Sequence, residues 1–142
     1  MFNIRVYGLL IKSNHVLITD EEVKGNMITK FPGGGLEFGE GTIDCLLREF
    51  KEELNLEIKI TKHLYTTDFF VQSIFKENEQ VISIYYLAEE IHPVNTLQSF
   101  PYIHENKQNF YWVKLNALDA EKFFFPIDRE LIRRIKENII SL

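Results

Sequence analysis

Residues 31–56 read FPGGGLEFGEGTIDCLLREFKEELNL, and this stretch decides the fold. It opens with three consecutive glycines, Gly33 to Gly35, and closes with Glu49, Glu52 and Glu53 within five residues. The spacing i, i+3, i+4 puts the three carboxylates on one face of a helix, where like charges repel. Clustering them there makes sense when a positive ligand belongs between them. Five of the seven glycines lie between 33 and 41. A segment so rich in glycine takes up backbone conformations closed to other residues and lets main-chain atoms approach a ligand. The pattern is therefore a glycine turn leading into a helix that carries carboxylates.

The helix is expected from Thr42, a good N-cap residue, to about Leu54. Ile43, Leu46, Leu47, Phe50 and Leu54 form its apolar stripe. Asn55 follows, a residue that tolerates the left-handed conformation ending many helices. Working outward, Phe2 to Leu10 alternates with strand period, and His15 to Thr19 reads as a second strand after a turn at Ser13-Asn14. Asp20 to Asn26 reads as a loop, and Met27 to Phe31 as a short strand entering the glycines. Leu56–Tyr65, Phe69–Phe75, Val81–Ala88 and Phe110–Val113 are rich in β-branched and aromatic residues. The polar run Lys76 to Gln80 reads as a hairpin loop. Leu131, Ile132, Ile135 and Ile139 mark a C-terminal helix docked on the core. Strands alternating irregularly with two helices predict a mixed sheet flanked by helices.

The 142 residues suit one domain, 1–142, and the 45% hydrophobic content can build a single sizeable core. The net charge of −5 argues against nonspecific nucleic-acid binding, which relies on a basic surface. No run has the length of a membrane span. The single Cys45 excludes an internal disulfide or a multi-cysteine zinc site, and beside the apolar stripe it reads as a structural thiol. With no signal segment visible, a reducing cytoplasm is expected.

The spacing Gly34, five residues, Glu40, seven residues, then Arg48-Glu49-Phe50-Lys51-Glu52-Glu53-Leu54-Asn55-Leu56 resembles the Nudix box, G-x5-E-x7-R-E-U-x-E-E-x-G-U, with U a bulky aliphatic residue. Two positions depart from it: Phe50 stands at an aliphatic position, and Asn55 replaces the last glycine. The resemblance extends to the opening strands, to the late Glu105 and Trp112 and to the C-terminal helix, nearly the whole chain. It implies an α/β/α sandwich around a mixed β-sheet. It also implies hydrolysis of a nucleoside diphosphate linked to another group, with Mg²⁺ or Mn²⁺ as cofactor. The chemistry is coherent: a pyrophosphate repels an attacking hydroxide unless divalent ions neutralise charge, and carboxylate oxygens suit such ions.

By resemblance, Glu52 and Glu53 are metal ligands, Glu49 is a ligand or the base, and the Gly33 carbonyl completes the ligand set. Arg48 orients Glu49, and Glu40 supports the junction of loop and helix. Glu105 either reaches the metals from the far side or is an exposed loop residue. The short length and the FFFPIDREL ending resemble the branch that cleaves (deoxy)nucleoside triphosphates to monophosphate and pyrophosphate. In that branch a polar side chain near Asp128 reads the base, although Asp128 also suits the positive end of the helix dipole. The alternatives are a sugar nucleotide or dinucleoside polyphosphate substrate, or a non-catalytic ligand-binding domain. A nucleotide-type small molecule is the expected partner, and a homodimer is left open.

Overall fold

The computed structural model describes residues 1–142. Seven strands are present: β1 (Phe2–Lys12), β2 (His15–Val23), β3 (Asn26–Lys30), β4 (Gly33–Gly35), β5 (Ile58–Thr66), β6 (Gln80–Glu90) and β7 (Asn109–Lys114). Helix α1 spans Thr42–Leu54 and α2 spans Pro126–Lys136, after two 3₁₀ turns. The main order across the sheet is β3-β2-β1-β6-β5, with β4 paired to β1 and β7 to β2. The β1–β6 pair is parallel and every other pair antiparallel, so the sheet is mixed.

Strand alternation sends consecutive β1 side chains to opposite faces, and each face meets a different helix. Val6 and Leu10 pack with Leu46, Phe50 and Leu54 of α1. Tyr7 and Leu9 pack with Ile127, Leu131 and Ile132 of α2. This is the expected α/β/α sandwich. Both faces of β1 are covered, which explains why Val6 to Leu10 is buried without a break.

Several sequence expectations shift. The turn of the first long hairpin lies at Lys24-Gly25, because β2 runs on to Val23 through the acidic residues that suggested a loop. The glycine triplet is itself a short strand, with Val6 opposite Gly34. Phe69–Phe75 is not a strand: it bridges the sheet only at Gln72, and Phe70 is 69% exposed. The segment loops over the sheet instead. Ile43 and Leu47 are exposed, while Cys45 is buried with Leu46 in the core against the sheet. Ile139 lies beyond the end of α2 and is exposed. Periodicity counts apolar residues but does not fix where the buried arc of a helix is centred.

The N-cap of α1 is Gly41, not Thr42. Its N–H donates to the Asp44 carboxylate at 3.0 Å, and the Thr42 hydroxyl pairs with Tyr86 Oη at 2.6 Å. The C-terminal end is closed by Asn55 at φ 52°, ψ 36°. Its N–H reaches the Lys51 carbonyl at 3.1 Å, and the Leu56 N–H reaches the Phe50 carbonyl at 3.3 Å. Asparagine tolerates this left-handed region, whereas a β-branched side chain clashes there. Asn55→Gly is expected to keep the melting temperature or raise it slightly. Asn55→Val is expected to lose about 1–2 kcal/mol, read by thermal unfolding of the two variants side by side. Equal melting temperatures for the two would refute the capping role.

Candidate active site

Arg48 ties the glycine loop to the helix. Its Nε and Nη2 donate to the two Glu40 oxygens at 2.9 and 2.7 Å, a two-pronged charged pair. Nη2 also donates to the Gly35 carbonyl at 3.1 Å. Nη1 donates to Glu49 at 3.0 Å and to Glu52 at 3.4 Å. Glu40 in turn accepts the Glu37 N–H at 2.9 Å. The Arg48 guanidinium holds the Glu40 carboxyl down at about 2, so Glu40 stays ionised through the neutral range. Cys45 lies beneath this network, and burial pushes its thiol up to about 12. It is no nucleophile at neutral pH.

The glycine triplet has a steric purpose. A Cβ on Gly34 would stand 2.3 Å from Glu49 Oε1, so the carboxylate occupies the space a side chain would take. At Gly33, φ is +151° and a Cβ would lie 2.1 Å from the Val6 carbonyl oxygen. No other residue fits either position without moving the backbone or Glu49.

The three helix carboxylates face different surroundings. The Glu52 side chain is 60% exposed, and that of Glu49 only 13%. Glu53 is half-buried. Burial pushes its carboxyl up, Lys30 opposes the shift, and Glu49 and Glu21 add to it. Glu53 accepts a hydrogen bond from Gln108 Nε2 at 3.4 Å. Gln108 Oε1 accepts from Asn106, whose Nδ2 also donates to Glu21 at 3.0 Å. This polar chain links the helix to β2. Glu21 also forms an ion pair with the buried Lys30. Glu105 is exposed and takes part in no hydrogen bond or ion pair, and it is Asn106 next to it that turns inward. Arg5, Glu21, Lys30, Asn106 and Gln108 escape sequence reasoning, because they come from four separated segments and carry no local motif.

A cavity of about 210 Å³ opens beside these groups. Arg5, Tyr7, Glu21, Lys30, Val71 to Phe75, Tyr85 and Asp128 are among the residues that line it. Asp128 is 1% exposed. Tyr85 donates its hydroxyl to Asp128 Oδ1, while Asp128 Oδ2 has no partner. The molecule has one other unpartnered buried side-chain oxygen, Asn106 Oδ1, and it belongs to the same region. Unsatisfied buried oxygens are rare and mark places where a polar ligand or water completes the set.

No three His, Cys, Asp or Glu side chains are already gathered around one point. The donors nonetheless suit a hard divalent cation: all are carboxylate oxygens, and Glu52 and Glu53 stand on successive positions at the end of a rigid helix. The cradle at Gly34 fixes Glu49 beside the glycine strand.

A family model, the NUDIX domain, matches residues 1–135. The chain belongs to the Nudix family. It is 30% identical over 106 residues to the 8-oxo-dGTP diphosphatase of Haemophilus influenzae, covering 75% of this chain and 68% of that protein. Two solved structures share the fold. The Escherichia coli ORF135 protein has a TM-score of 0.71 at 17% identity, covering 96% of this chain and 89% of that one. A MutT NUDIX hydrolase from Burkholderia pseudomallei has a TM-score of 0.71 at 14% identity, covering 95% and 98%. This Nudix hydrolase is a pyrophosphohydrolase, and enzymes of the family generally use divalent metal ions.

Two outcomes follow from the Nudix site geometry. Gly34→Ala is expected to displace the Glu49 carboxylate and cut turnover by roughly one to two orders of magnitude, with the fold kept by circular dichroism. Unchanged turnover would show that Glu49 adapts freely. Burial pushes the Asp128 carboxyl up from its ordinary 3.8 to about 7. The folded state then holds a proton the unfolded chain releases, so stability falls as pH rises from about 4 through about 7. Asp128→Asn carries no such dependence. Its stability relative to the parent is expected to improve between pH 5 and pH 8, measured by urea unfolding. A difference independent of pH would contradict the burial argument.

Proposed function

We propose that this enzyme hydrolyses a (deoxy)nucleoside triphosphate to the monophosphate and pyrophosphate, with Mg²⁺ or Mn²⁺ as cofactor. The observation that carries this reading is a cavity lined by the unpartnered Asp128 together with Arg5, Lys30 and Glu21, the last of which is joined through Asn106 and Gln108 to Glu53 of α1. Its volume is below the roughly 300–1,000 Å³ of pockets that enclose a whole drug-sized ligand. It suits a base, with the phosphates lying outside toward α1. The similarity to an 8-oxo-dGTP diphosphatase supports a purine deoxynucleotide within this class.

In this reading Asp128 and Tyr85 hold the polar edge of the base. Ionised, Asp128 Oδ2 accepts a donor from the ring, and protonated, it donates. Tyr7 and Phe75 supply apolar walls. Glu52 and Glu53 would hold the cation, with Glu49 and the Gly33 carbonyl. A divalent cation supplies charge neutralisation on the phosphate oxygens and polarises water. Glu49, fixed between Arg48 and Gly34, takes the proton of the attacking water. Arg48 keeps Glu49 oriented for that step. Glu105 is assigned no step, since nothing joins it to the carboxylates. The chain has no helix long and apolar enough to cross a membrane. A cytoplasmic setting with a free nucleotide pool fits this reading, and the acidic charge disfavours nucleic acid as substrate.

The test is release of pyrophosphate from a panel of nucleoside triphosphates. Turnover is expected to vanish in excess chelator and return with Mg²⁺ or Mn²⁺. Glu52→Gln and Glu53→Gln remove charge with little change of shape. Each is expected to lose on the order of a hundredfold or more in rate at saturating metal. Parent-like turnover in both variants would reduce the carboxylates to a solvated face. Formation of nucleoside monophosphate and sugar phosphate from sugar nucleotides, with triphosphates untouched, would move the substrate to that class.

A further inference from the structure

We infer that Arg5 and Lys30 form a clamp for the phosphate nearest the sugar, set between the base cavity and the carboxylate helix. The inference rests on the nucleotide reading above and assigns residues outside the Nudix box.

Arg5 is the decisive observation. It is half-buried and lines the cavity. Its Nε donates to Tyr7 Oη at 3.2 Å, but neither Nη atom makes a hydrogen bond and no carboxylate pairs with it. A guanidinium has five donors in a fixed fork suited to carboxylate or phosphate. One left with most of its donors unused in an acid-rich cleft lacks an anionic partner. Nη1 lies 3.2 Å from the place a Cβ on Gly35 would occupy, so the fork reaches the glycine strand next to Glu49.

Lys30 lines the same cavity. It is 6% exposed, and Glu21 is its one ion-pair partner. Both cations converge on the Tyr7 ring, each 5.9 Å from its centroid. Buried ion pairs are weak contributors to stability compared with apolar packing. Arg5 and Lys30 face a cavity rather than filling the core, which leaves ligand binding as their use. A phosphate between them would take the free Arg5 fork and draw Lys30 from Glu21. It would also offset the repulsion between substrate and carboxylates on the side a cation does not reach.

The probes are dGMP and deoxyguanosine, which share a base and sugar and differ by one phosphate. Binding is measured by calorimetry in excess chelator, where turnover is absent. The parent is expected to bind dGMP more tightly than deoxyguanosine, with an advantage that shrinks as salt rises. Arg5→Met and Lys30→Met are each expected to weaken dGMP about ten- to a hundredfold and to leave deoxyguanosine unchanged. Lys30→Met strands Glu21, so the double variant Glu21→Gln/Lys30→Met is included. It is expected to recover melting temperature without recovering dGMP affinity. Parent-like dGMP affinity in Arg5→Met, its recovery in the double variant, or no preference of the parent for dGMP would each overturn the clamp. Turnover of triphosphates with an inert Arg5 would remove the clamp and keep the proposed function. Binding of dGMP through Arg5 and Lys30 without triphosphate turnover would do the reverse.

Discussion

The site depends on one guanidinium. Arg48 sits where four acidic side chains and a loop carbonyl meet, and its fork is divided among them. It anchors Glu40 with two donors, holds the Gly35 carbonyl, and reaches Glu49 and Glu52 with Nη1. Without it, Glu40, Glu49 and Glu52 would repel one another and the glycine strand would lose its link to α1. An exposed ion pair contributes little, but this side chain is only 23% exposed and serves several acceptors at once. Its importance is geometric. It converts a repulsive cluster into a fixed one, with Glu49 seated in the gap at Gly34.

The same logic of compensated charge runs through the cleft. Lys30 faces Glu21, and Gln108 and Asn106 bridge Glu53 to Glu21 with neutral amides. Two oxygens, on Asn106 and Asp128, are left over, as are the end nitrogens of Arg5. These unmet groups are both acceptors and donors; Arg5 and Asp128 line the cavity, and Asn106 belongs to the chain that joins Glu21 to Gln108 and Glu53 of α1. A ligand that combines a base edge with phosphates presents complementary groups. Rigid elements hold the site: β1 carries Arg5 and Tyr7, α2 carries Asp128, and α1 carries the carboxylates. The less regular part is the stretch over the cavity, Val71 to Phe75. It is tied to the sheet by the Gln72–Gln80 bridge and by the Ser73 N–H to the Glu79 carbonyl at 2.8 Å.

Chain-local features were legible because their physics is local. The strand period of Phe2–Leu10, the stripe of Leu46, Phe50 and Leu54, and the left-handed Asn55 all follow from neighbours within a turn or two. Errors arose where a distant partner decides. The aromatic run Phe69–Phe75 has strand composition but meets the sheet only at the start of β6, through the Gln72–Gln80 bridge, because β5 pairs with the rest of β6 from Ile84 to Glu90. Ile43 and Leu47 have the right spacing, yet the sheet meets the helix along the line of Cys45 and Leu46. Thr42 is a good cap by type, but Gly41 holds the position and the Thr42 hydroxyl serves Tyr86 instead.

By itself the sequence determined the Nudix box, the mixed sheet with a helix on each face, and carboxylates gathered on one helix side. Fixed spacing sets the box and the carboxylate face, and the order of strands and helices along the chain, with the family resemblance, sets the sandwich. Only the tertiary structure decided that Glu49 fills the space of a missing Gly34 side chain, and that Asp128 is buried with one oxygen unpartnered. It alone brought Arg5 and Lys30 together around the Tyr7 ring. Those facts depend on β1, β3, β4 and α2 meeting in space. Pairing across tens of residues leaves no period or spacing in the chain from which it could be read.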